Sequence, residues 1–277
     1  MPAETQSTSS FVTSQDGTRI AYRAWPKSTA SITLAVAHGL GEHAGRYAGF
    51  AEAMAKRGIG TFAMDLRGHG LSQGPRGHVD SWSQWVDDIN AFLGLVETHV
   101  GGEVVPLGHS FGGAAMLSTA LAGKLRSARR FIVSSPALRT KVAVPQWKVN
   151  LGEMASRVMP RLALGNEVDA GSLSRIPEVV SAYKTDPLVH PKISARTYTE
   201  WQRATQDILK RAGVIKVPFL ITAGSDDRLI DPAGSEELHR AAPEMSELHV
   251  LPGRYHEPFN DLGSDEVFDL IARWLDR

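Results

Sequence analysis

Cysteine is absent from the 277 residues of this chain. Its absence excludes disulfide bonds, thiolate catalysis and cysteine-ligated zinc sites, and it is consistent with a reducing compartment. An excess of charge is absent as well, because 30 Lys and Arg residues balance 30 Asp and Glu residues. This balance gives no support for nucleic acid as a partner.

Long apolar runs are also missing, and none approaches the ~20 residues that a membrane-spanning helix needs. Residues 1–10 are polar and lack the basic start and apolar centre of a secretion signal. We therefore expect a cytoplasmic protein, either free or attached peripherally to a membrane. A length of 277 residues allows one domain with a sizeable core and an insertion.

Short apolar runs alternate with helical patterns along most of the chain. The predicted strands lie at 11–13, 20–25, 32–37, 61–64, 104–107, 131–134, 219–223 and 248–251. The predicted helices lie at about 46–57, 82–99, 114–121, 233–241 and 265–276. The first two strands flank Asp16-Gly17, which predicts a hairpin. The alternation predicts an α/β fold with a mostly parallel central sheet and helices on both faces.

The alternation stops between about residues 137 and 213, where the sequence shows no strand signal. This gap predicts an inserted helical cap. The expected division is a first part of the core at 1–136, the cap at 137–213 and a second part of the core at 214–277.

An apolar stripe at helical spacing runs along the first part of the predicted cap. Its members are Trp147, Leu151, Met154, Val158 and Leu162. Pro160 would bend or end this helix. Two interpretations remain open: the stripe packs on the core, or it forms an apolar rim that contacts lipid and lines an acyl-chain channel.

A glycine-rich segment, Gly108-His109-Ser110-Phe111-Gly112-Gly113, stands between a predicted strand and a predicted helix. Strand, sharp turn and helix form the context of the G-x-S-x-G nucleophile elbow, in which the serine hydroxyl is exposed at a strained turn. The amides after Ser110 would then lie at a helix N-terminus, which favours an oxyanion. The alternative interpretation is a glycine-rich turn with an incidental serine.

A nucleophilic serine requires a base and an orienting carboxylate, which follow it in the chain order serine, acid, histidine. Asp227 follows the predicted strand at 219–223, and His256 follows the one at 248–251. Carboxyl ends of parallel strands converge on one crevice, so we expect these side chains to meet Ser110. Asp226 competes for the role of the acid, and we favour Asp227 for its spacing from Gly224.

The remaining histidines receive other roles. We expect His38 to brace the turn in which it lies and His109 to point away from Ser110. Those without an expected catalytic role are His69, His78, His99, His190, His239 and His249. The oxyanion hole should use the amides of Phe111 and Leu40, because the latter lies in a glycine-flanked loop after the third predicted strand.

Several strings together carry a resemblance to a known family. They are His38-Gly39-Leu40-Gly41-Glu42-His43-Ala44-Gly45-Arg46-Tyr47, Asp65-Leu66-Arg67-Gly68-His69-Gly70-Leu71-Ser72, the elbow, Pro177-Glu178-Val179-Val180, Ala182-Tyr183-Lys184-Thr185-Asp186-Pro187-Leu188, Gly224-Ser225-Asp226-Asp227-Arg228-Leu229-Ile230 and Tyr255-His256-Glu257. With them the chain resembles the α/β-hydrolase superfamily, and within it the monoacylglycerol lipase and lysophospholipase family. The resemblance covers nearly the whole chain after about residue 15.

The resemblance implies roles for individual residues. It implies Ser110, Asp227 and His256 as a catalytic triad, with the amides of Leu40 and Phe111 as the oxyanion hole. It also implies that the alcohol end of the substrate is shaped or hydrogen-bonded by Glu42, Arg46 and Tyr183. Two positions depart from the family: Phe111 stands where many members have Met, and Phe259 stands where some carry a second histidine near the glycerol.

The expected function is that of a serine ester hydrolase that cleaves monoacylglycerols without a metal or organic cofactor. A lipid ester is therefore the expected partner, and the cap is the expected site of contact with lipid aggregates. Lysophospholipase, short-chain carboxylesterase and acyl transfer to another alcohol are alternatives within this class. A non-catalytic ligand-binding protein on the same fold is the alternative from another class.

Overall fold

The computed structural model describes residues 8–26, 29–141, 146–166 and 168–277, and the side chains of all of these except 146–151. Its strands are β1 (Thr8–Thr13), β2 (Arg19–Trp25), β3 (Ile32–Ala37), β4 (Gly60–Met64), β5 (Glu103–His109), β6 (Phe131–Ser134), β7 (Ala163–Gly165), β8 (Lys192–Ser194), β9 (Phe219–Gly224) and β10 (Ser246–Leu251). The central sheet has the order β1-β2-β4-β3-β5-β6-β9-β10.

Pairing in this sheet is parallel from β4 to β10. The exceptions are β1, which pairs antiparallel with β2, and β2, which pairs antiparallel with β4. The hairpin around Asp16-Gly17 is therefore present, and the predicted mostly parallel α/β sheet is confirmed. Because β3, β5, β6, β9 and β10 run in the same direction, the loops at their carboxyl ends meet at one edge of the sheet.

Helices cover both faces of the sheet. They are α1 (Ala48–Lys56), α2 (Ser83–His99), α3 (Phe111–Leu121), α4 (Gln146–Val158), α5 (Pro177–Thr185), α6 (Ala195–Arg211), α7 (Ala233–Ala241) and α8 (Ser264–Leu275). Alternate residues of a strand serve the two faces. On β3, Leu34 and Val36 pack with α1 and α8, whereas Ala35 and Ala37 pack with α2 and α3.

The segment between β6 and β9 corrects one prediction. Within it β7 and β8 form a short antiparallel pair outside the central sheet, where we expected no strand. Each of these strands has only three residues, and 26 residues lie between them, so neither leaves an alternating pattern in the sequence. The last helix of this segment, α6, buries Trp201 and Ile208 in the same core as α3, and the boundaries proposed for the cap stay a prediction.

The apolar stripe of the cap lies partly on α4. This helix ends at Val158, two residues before Pro160, so Leu162 lies beyond it. The side chains of Trp147 and Leu151 are outside the described residues. Met154 and Val158 are 59% and 75% exposed. The described part of the stripe therefore does not pack on the core. Within the described ranges, no helix is both long and apolar enough to cross a membrane.

Candidate active site

Ser110 connects the end of β5 to the start of α3. Its φ of 53° and ψ of −117° place a non-glycine residue in a region that side chains disfavour. The turn is also tightly packed, because a Cβ at Gly112 would clash with the backbone carbonyl of Ala37. The amide of Ser110 is held by the carbonyl of Ser134 at 2.9 Å. The predicted elbow is thus present, with the serine at its tip.

Three side chains that are far apart in the sequence meet at this turn. Nε2 of His256 lies 2.8 Å from Oγ of Ser110, and Nδ1 of His256 lies 2.7 Å from Oδ2 of Asp227. Asp227 is itself fixed, because its Oδ1 accepts the amides of Leu229 and Ile230 at 2.9 Å each. The neighbouring Asp226 is exposed, and its carboxylate accepts the hydroxyl of Ser225. Of the two candidate acids, Asp227 is the one that contacts the imidazole.

Ser110, His256 and Asp227 form a proton relay. The charges of the relay support proton transfer from the serine to the imidazole. Although burial acts to lower the pKa of His256, the Asp227 carboxylate raises it above its ordinary value. Burial acts to raise the pKa of Asp227, but the imidazole and the two backbone amides lower it. The acid therefore stays ionised and stabilises a positive imidazole, as a general base next to a serine requires.

A small cavity of about 40 Å3 lies against the serine. It is lined by Gly39, Leu40, Glu42, His109, Ser110, Val168, Leu173, Tyr183, Leu229, His256 and Glu257. Leu40 thus faces the reaction centre. Phe111 begins α3, and its ring is buried among the rings of Trp82, Trp85 and Trp201. Substituting one apolar side chain for another at Phe111 would change this packing and leave the amide in place.

The structure contradicts the orientation that we expected for His109. Its ring lines the cavity, and the ring centroid lies 5.0 Å from that of His256. The cause is strand alternation: His109 follows Val105 and Leu107 on the face of β5 that also packs against Phe259. Burial lowers the pKa of His109 to about 3, so the ring is neutral. Within the described part of the chain, its Nδ1 has no hydrogen-bond partner.

His38 behaves as expected. Its Nδ1 donates to the carbonyl of Gly39 at 2.7 Å, and its Nε2 accepts the amide of Leu66 at 2.9 Å. The ring therefore braces the loops after β3 and β4. The position that carries a second histidine in some family members holds Phe259, whose ring packs 4.8 Å from that of Phe50 in the core.

The residues expected at the alcohol end form an ion cluster beside the relay. Arg46 donates to Glu42 at 2.7 Å and to both carboxylate oxygens of Glu257 at 2.6 and 2.7 Å. Its guanidinium also lies 4.8 Å from the ring centre of Tyr183. Glu42 and Tyr183 line the cavity, whereas Arg46 is not among the lining residues.

Sequence reasoning gave Glu257 no role of its own. The signal that was available is an acid placed directly after His256 in the string that carries the resemblance. Although burial acts to raise the pKa of Glu257, Arg46 holds it at about 2. Burial raises the pKa of Glu42, which faces the same arginine and the charge of Glu257.

Comparisons with known proteins show the family to which the chain belongs. Residues 28–263 match the family described as serine aminopeptidase, S33 (Hydrolase_4). The chain is 35% identical over 281 residues to a monoacylglycerol lipase of Mycolicibacterium smegmatis, covering 99% of each chain. It is 32% identical over 274 residues to an uncharacterized abhydrolase domain-containing protein of Dictyostelium discoideum, covering 98% of this chain but only 29% of that protein. The crystal structure of Paleococcus ferrophilus monoacylglycerol lipase superposes with a TM-score of 0.80 at 30% identity, covering 98% of each chain.

Proposed function

The chain belongs to the Hydrolase_4 family of α/β-hydrolases and is a carboxylic ester hydrolase, and from this premise we propose that it cleaves monoacylglycerols into a fatty acid and glycerol. The observation that carries the proposal is the continuous contact of Ser110, His256 and Asp227 at the wall of a cavity. The similarity to monoacylglycerol lipases over the full length of the chain supports the choice of substrate.

The reaction proceeds through an acyl-enzyme. Nε2 of His256 accepts the Ser110 proton as Oγ attacks the ester carbonyl, and Asp227 stabilises the resulting imidazolium. The oxyanion is bound by the amides of Leu40 and Phe111, and loss of one such donor costs about 3–4 kcal/mol of barrier. His256 then protonates the leaving glycerol oxygen. Water attacks the acyl-enzyme by the same route and releases the fatty acid.

The cavity lining offers both polar and apolar groups to this substrate. Glu42 and Tyr183 provide polar groups for the alcohol, as the resemblance implies. Val168, Leu173 and Leu229 provide an apolar wall for the start of the acyl chain. No step of this mechanism uses a metal ion or an organic cofactor.

The exposed apolar side chains of the cap support contact with a lipid surface. Among the described cap residues, the large apolar side chains that are more than a third exposed are Met154, Val158, Met159, Leu162 and Leu164. Apolar side chains beside charged ones suit contact with the surface of a membrane, and methionine adapts to an irregular surface. We therefore include peripheral association of the cap with lipid in the proposal.

A fluorophosphonate probe tests the nucleophile. We expect the wild-type protein to be labelled and to hydrolyse 1-monooleoylglycerol, and Ser110→Ala to lose both activities because the attacking oxygen is gone. Ser235→Ala is the matched control, because that serine is also buried but lies in α7. Labelling of Ser110→Ala would show that another residue is the nucleophile.

A substrate panel separates the alternatives. Lysophosphatidylcholine tests for lysophospholipase activity, p-nitrophenyl butyrate for a short-chain esterase, and an aminoacyl p-nitroanilide for the peptidase activity in the family's description. Product analysis in the presence of a second alcohol detects acyl transfer. A folded wild-type protein that binds lipid but turns over none of these compounds would favour the ligand-binding alternative.

A further inference from the structure

Glu257 anchors the loop that carries His256. Its carboxylate accepts two hydrogen bonds from the Arg46 guanidinium, from Nη1 to Oε1 at 2.6 Å and from Nη2 to Oε2 at 2.7 Å. Its amide donates to the carbonyl of Leu173 in the cap at 2.9 Å. Asn260 adds a third bond to the carboxylate at 3.0 Å. Because Glu257 adjoins His256, these bonds restrict the backbone from which the imidazole projects.

The same guanidinium reaches the opposite side of the reaction centre. Arg46 donates to Oε2 of Glu42 at 2.7 Å, and Oε1 of Glu42 accepts the amide of Gly39 at 2.6 Å. Gly39 precedes Leu40, the residue whose amide we assign to the oxyanion hole. One cation therefore connects the loop after β3 to the loop after β10.

Burial makes this connection stiff. The side chains of Arg46, Glu42 and Glu257 are only 10%, 5% and 5% exposed. A bidentate pair between arginine and a carboxylate has a fixed planar geometry that lysine cannot reproduce. If the cation is removed, the two buried carboxylates lose the positive charge between them. Their repulsion then distorts the two loops that they connect.

We propose that Arg46 and Glu257 are positioning residues, which hold the imidazole of His256 and the oxyanion loop at a fixed separation around the ester carbonyl. This role differs from the contact with the substrate alcohol that the resemblance implies for Arg46. Arg46 is already occupied by two carboxylates and does not line the cavity. The proposal depends on ester hydrolysis by Ser110, but not on glycerol as the alcohol.

Kinetics on two esters distinguish the two roles. We expect Glu257→Gln and Arg46→Met to lower kcat roughly 10- to 100-fold on both 1-monooleoylglycerol and p-nitrophenyl butyrate, with little change in KM, because misplaced groups slow the chemical step. The double variant should lose no more than the more impaired single variant, because the pair acts as a unit. A loss confined to the glycerol ester, or losses that multiply in the double variant, would overturn the proposal.

The pH profile of kcat/KM gives a readout that a purely structural role would not move. The ionisable groups that face His256 are Asp227, Glu257, Glu42 and His109. Because the negative charge of Glu257 helps to raise the pKa of His256, Glu257→Gln should shift the acid limb to lower pH. An acid limb that stays at the wild-type position would contradict the proximity on which the proposal depends.

Arg67→Met is the matched control. Arg67 is likewise buried and shared by two carboxylates, but these are Asp16 in the β1–β2 hairpin and Asp88 in α2, so it does not join the loops after β3 and β10. We expect Arg67→Met to have a lower melting temperature than wild type. Its kcat, normalised to the amount of protein that the fluorophosphonate probe labels, should be unchanged. Arg46→Lys keeps the charge in case Arg46→Met does not fold, and its kcat should fall between those of wild type and Glu257→Gln. If the wild type hydrolyses only p-nitrophenyl butyrate, the monoacylglycerol assignment fails, whereas the positioning role is still tested on that ester.

Discussion

Ser110 has the backbone conformation with the most direct consequence for catalysis. A non-glycine residue at φ 53° carries a cost of about 1–3 kcal/mol, which the surrounding structure must offset. The offset comes from the close packing of Gly112 against β3 and from the bond between the Ser110 amide and Ser134. In return, the hydroxyl projects from the turn to the imidazole of His256. The strain thus aligns the nucleophile before any substrate arrives.

The raised pKa of His256 predicts the acid limb of the activity profile. Only the neutral imidazole accepts the serine proton, so activity is lost as the pH falls through the pKa of the free enzyme. Because Asp227 raises that pKa, we expect the limb of kcat/KM for p-nitrophenyl butyrate to lie above pH 6.5. Replacing a histidine outside the site, in His239→Asn, should leave the limb in place. A limb at or below pH 6.5 would contradict the geometry of the relay.

At the scale of the element, regular patterns were predictable and long-range pairings were not. The strands and helices of the sheet follow from periods of two and about 3.6 residues, and the bounds observed for β3 and β6 are those predicted. The β7–β8 pair depends on contacts between distant segments, which leave no local signal.

Side-chain directions within the site were only partly predictable. The sequence order predicted Ser110 and His256 and an acid at 226 or 227, with Asp227 favoured, because the fold fixes which strand ends meet. It did not predict that His109 faces the cavity, which follows from the register of β5. The role proposed for Glu257 depends on where Arg46 projects, and that direction is set by the turn before α1 rather than by any motif.

The exposed face of α4 predicts binding to lipid vesicles. We expect the wild-type protein to sediment with phosphatidylcholine vesicles, and Met154→Asp combined with Val158→Asp to reduce the bound fraction severalfold, because charges oppose insertion of this face. Both side chains are exposed, so folding and p-nitrophenyl butyrate hydrolysis should be unaffected. Val250→Asp is the control, since that apolar side chain is exposed on β10. Equal binding by all variants would exclude α4 as the contact surface.

At the scale of the whole molecule, buried histidines connect the loops at the carboxyl edge of the sheet to the cap. His190 donates from its Nε2 to the carbonyl of Gly68 at 3.1 Å, and its ring lies 4.7 Å from that of His69. The amide of His190 also bonds the carbonyl of Gly41 at 2.9 Å. Neutral rings can pack this way, whereas a charge on His69 or His190 would be buried and would have no carboxylate partner among the described residues. The arrangement therefore depends on pH.

Acid should weaken the folded state through these rings. Burial lowers the pKa of His69 to about 3, and it lowers the pKa of His38 well below its ordinary value. Between pH 6.5 and about 3 the unfolded chain binds more protons than the folded one, so stability falls as the pH falls. His69 alone should contribute roughly 1–2 kcal/mol to the difference in urea unfolding free energy between pH 7.5 and 5.0.

Substitution of this ring tests that expectation. His69→Phe should be less stable than wild type at pH 7.5 but should lose less stability on acidification, because the titrating group is gone. His99→Asn, at an exposed helix end, should keep the wild-type pH dependence. Urea titrations followed by fluorescence measure both values. An unchanged pH dependence in His69→Phe would assign the acid sensitivity to other groups.

The small volume against Ser110 determines when turnover can begin. About 40 Å3 accommodates a few water molecules at most, whereas pockets that bind small organic ligands span roughly 300–1,000 Å3. Its roof includes Val168, Leu173 and Tyr183 from the cap, and the carbonyl of Leu173 is bonded to Glu257. Entry of a long acyl chain therefore requires that this roof be displaced. We therefore expect slow turnover of bulky esters by the enzyme in solution, and faster turnover where a lipid surface displaces the cap.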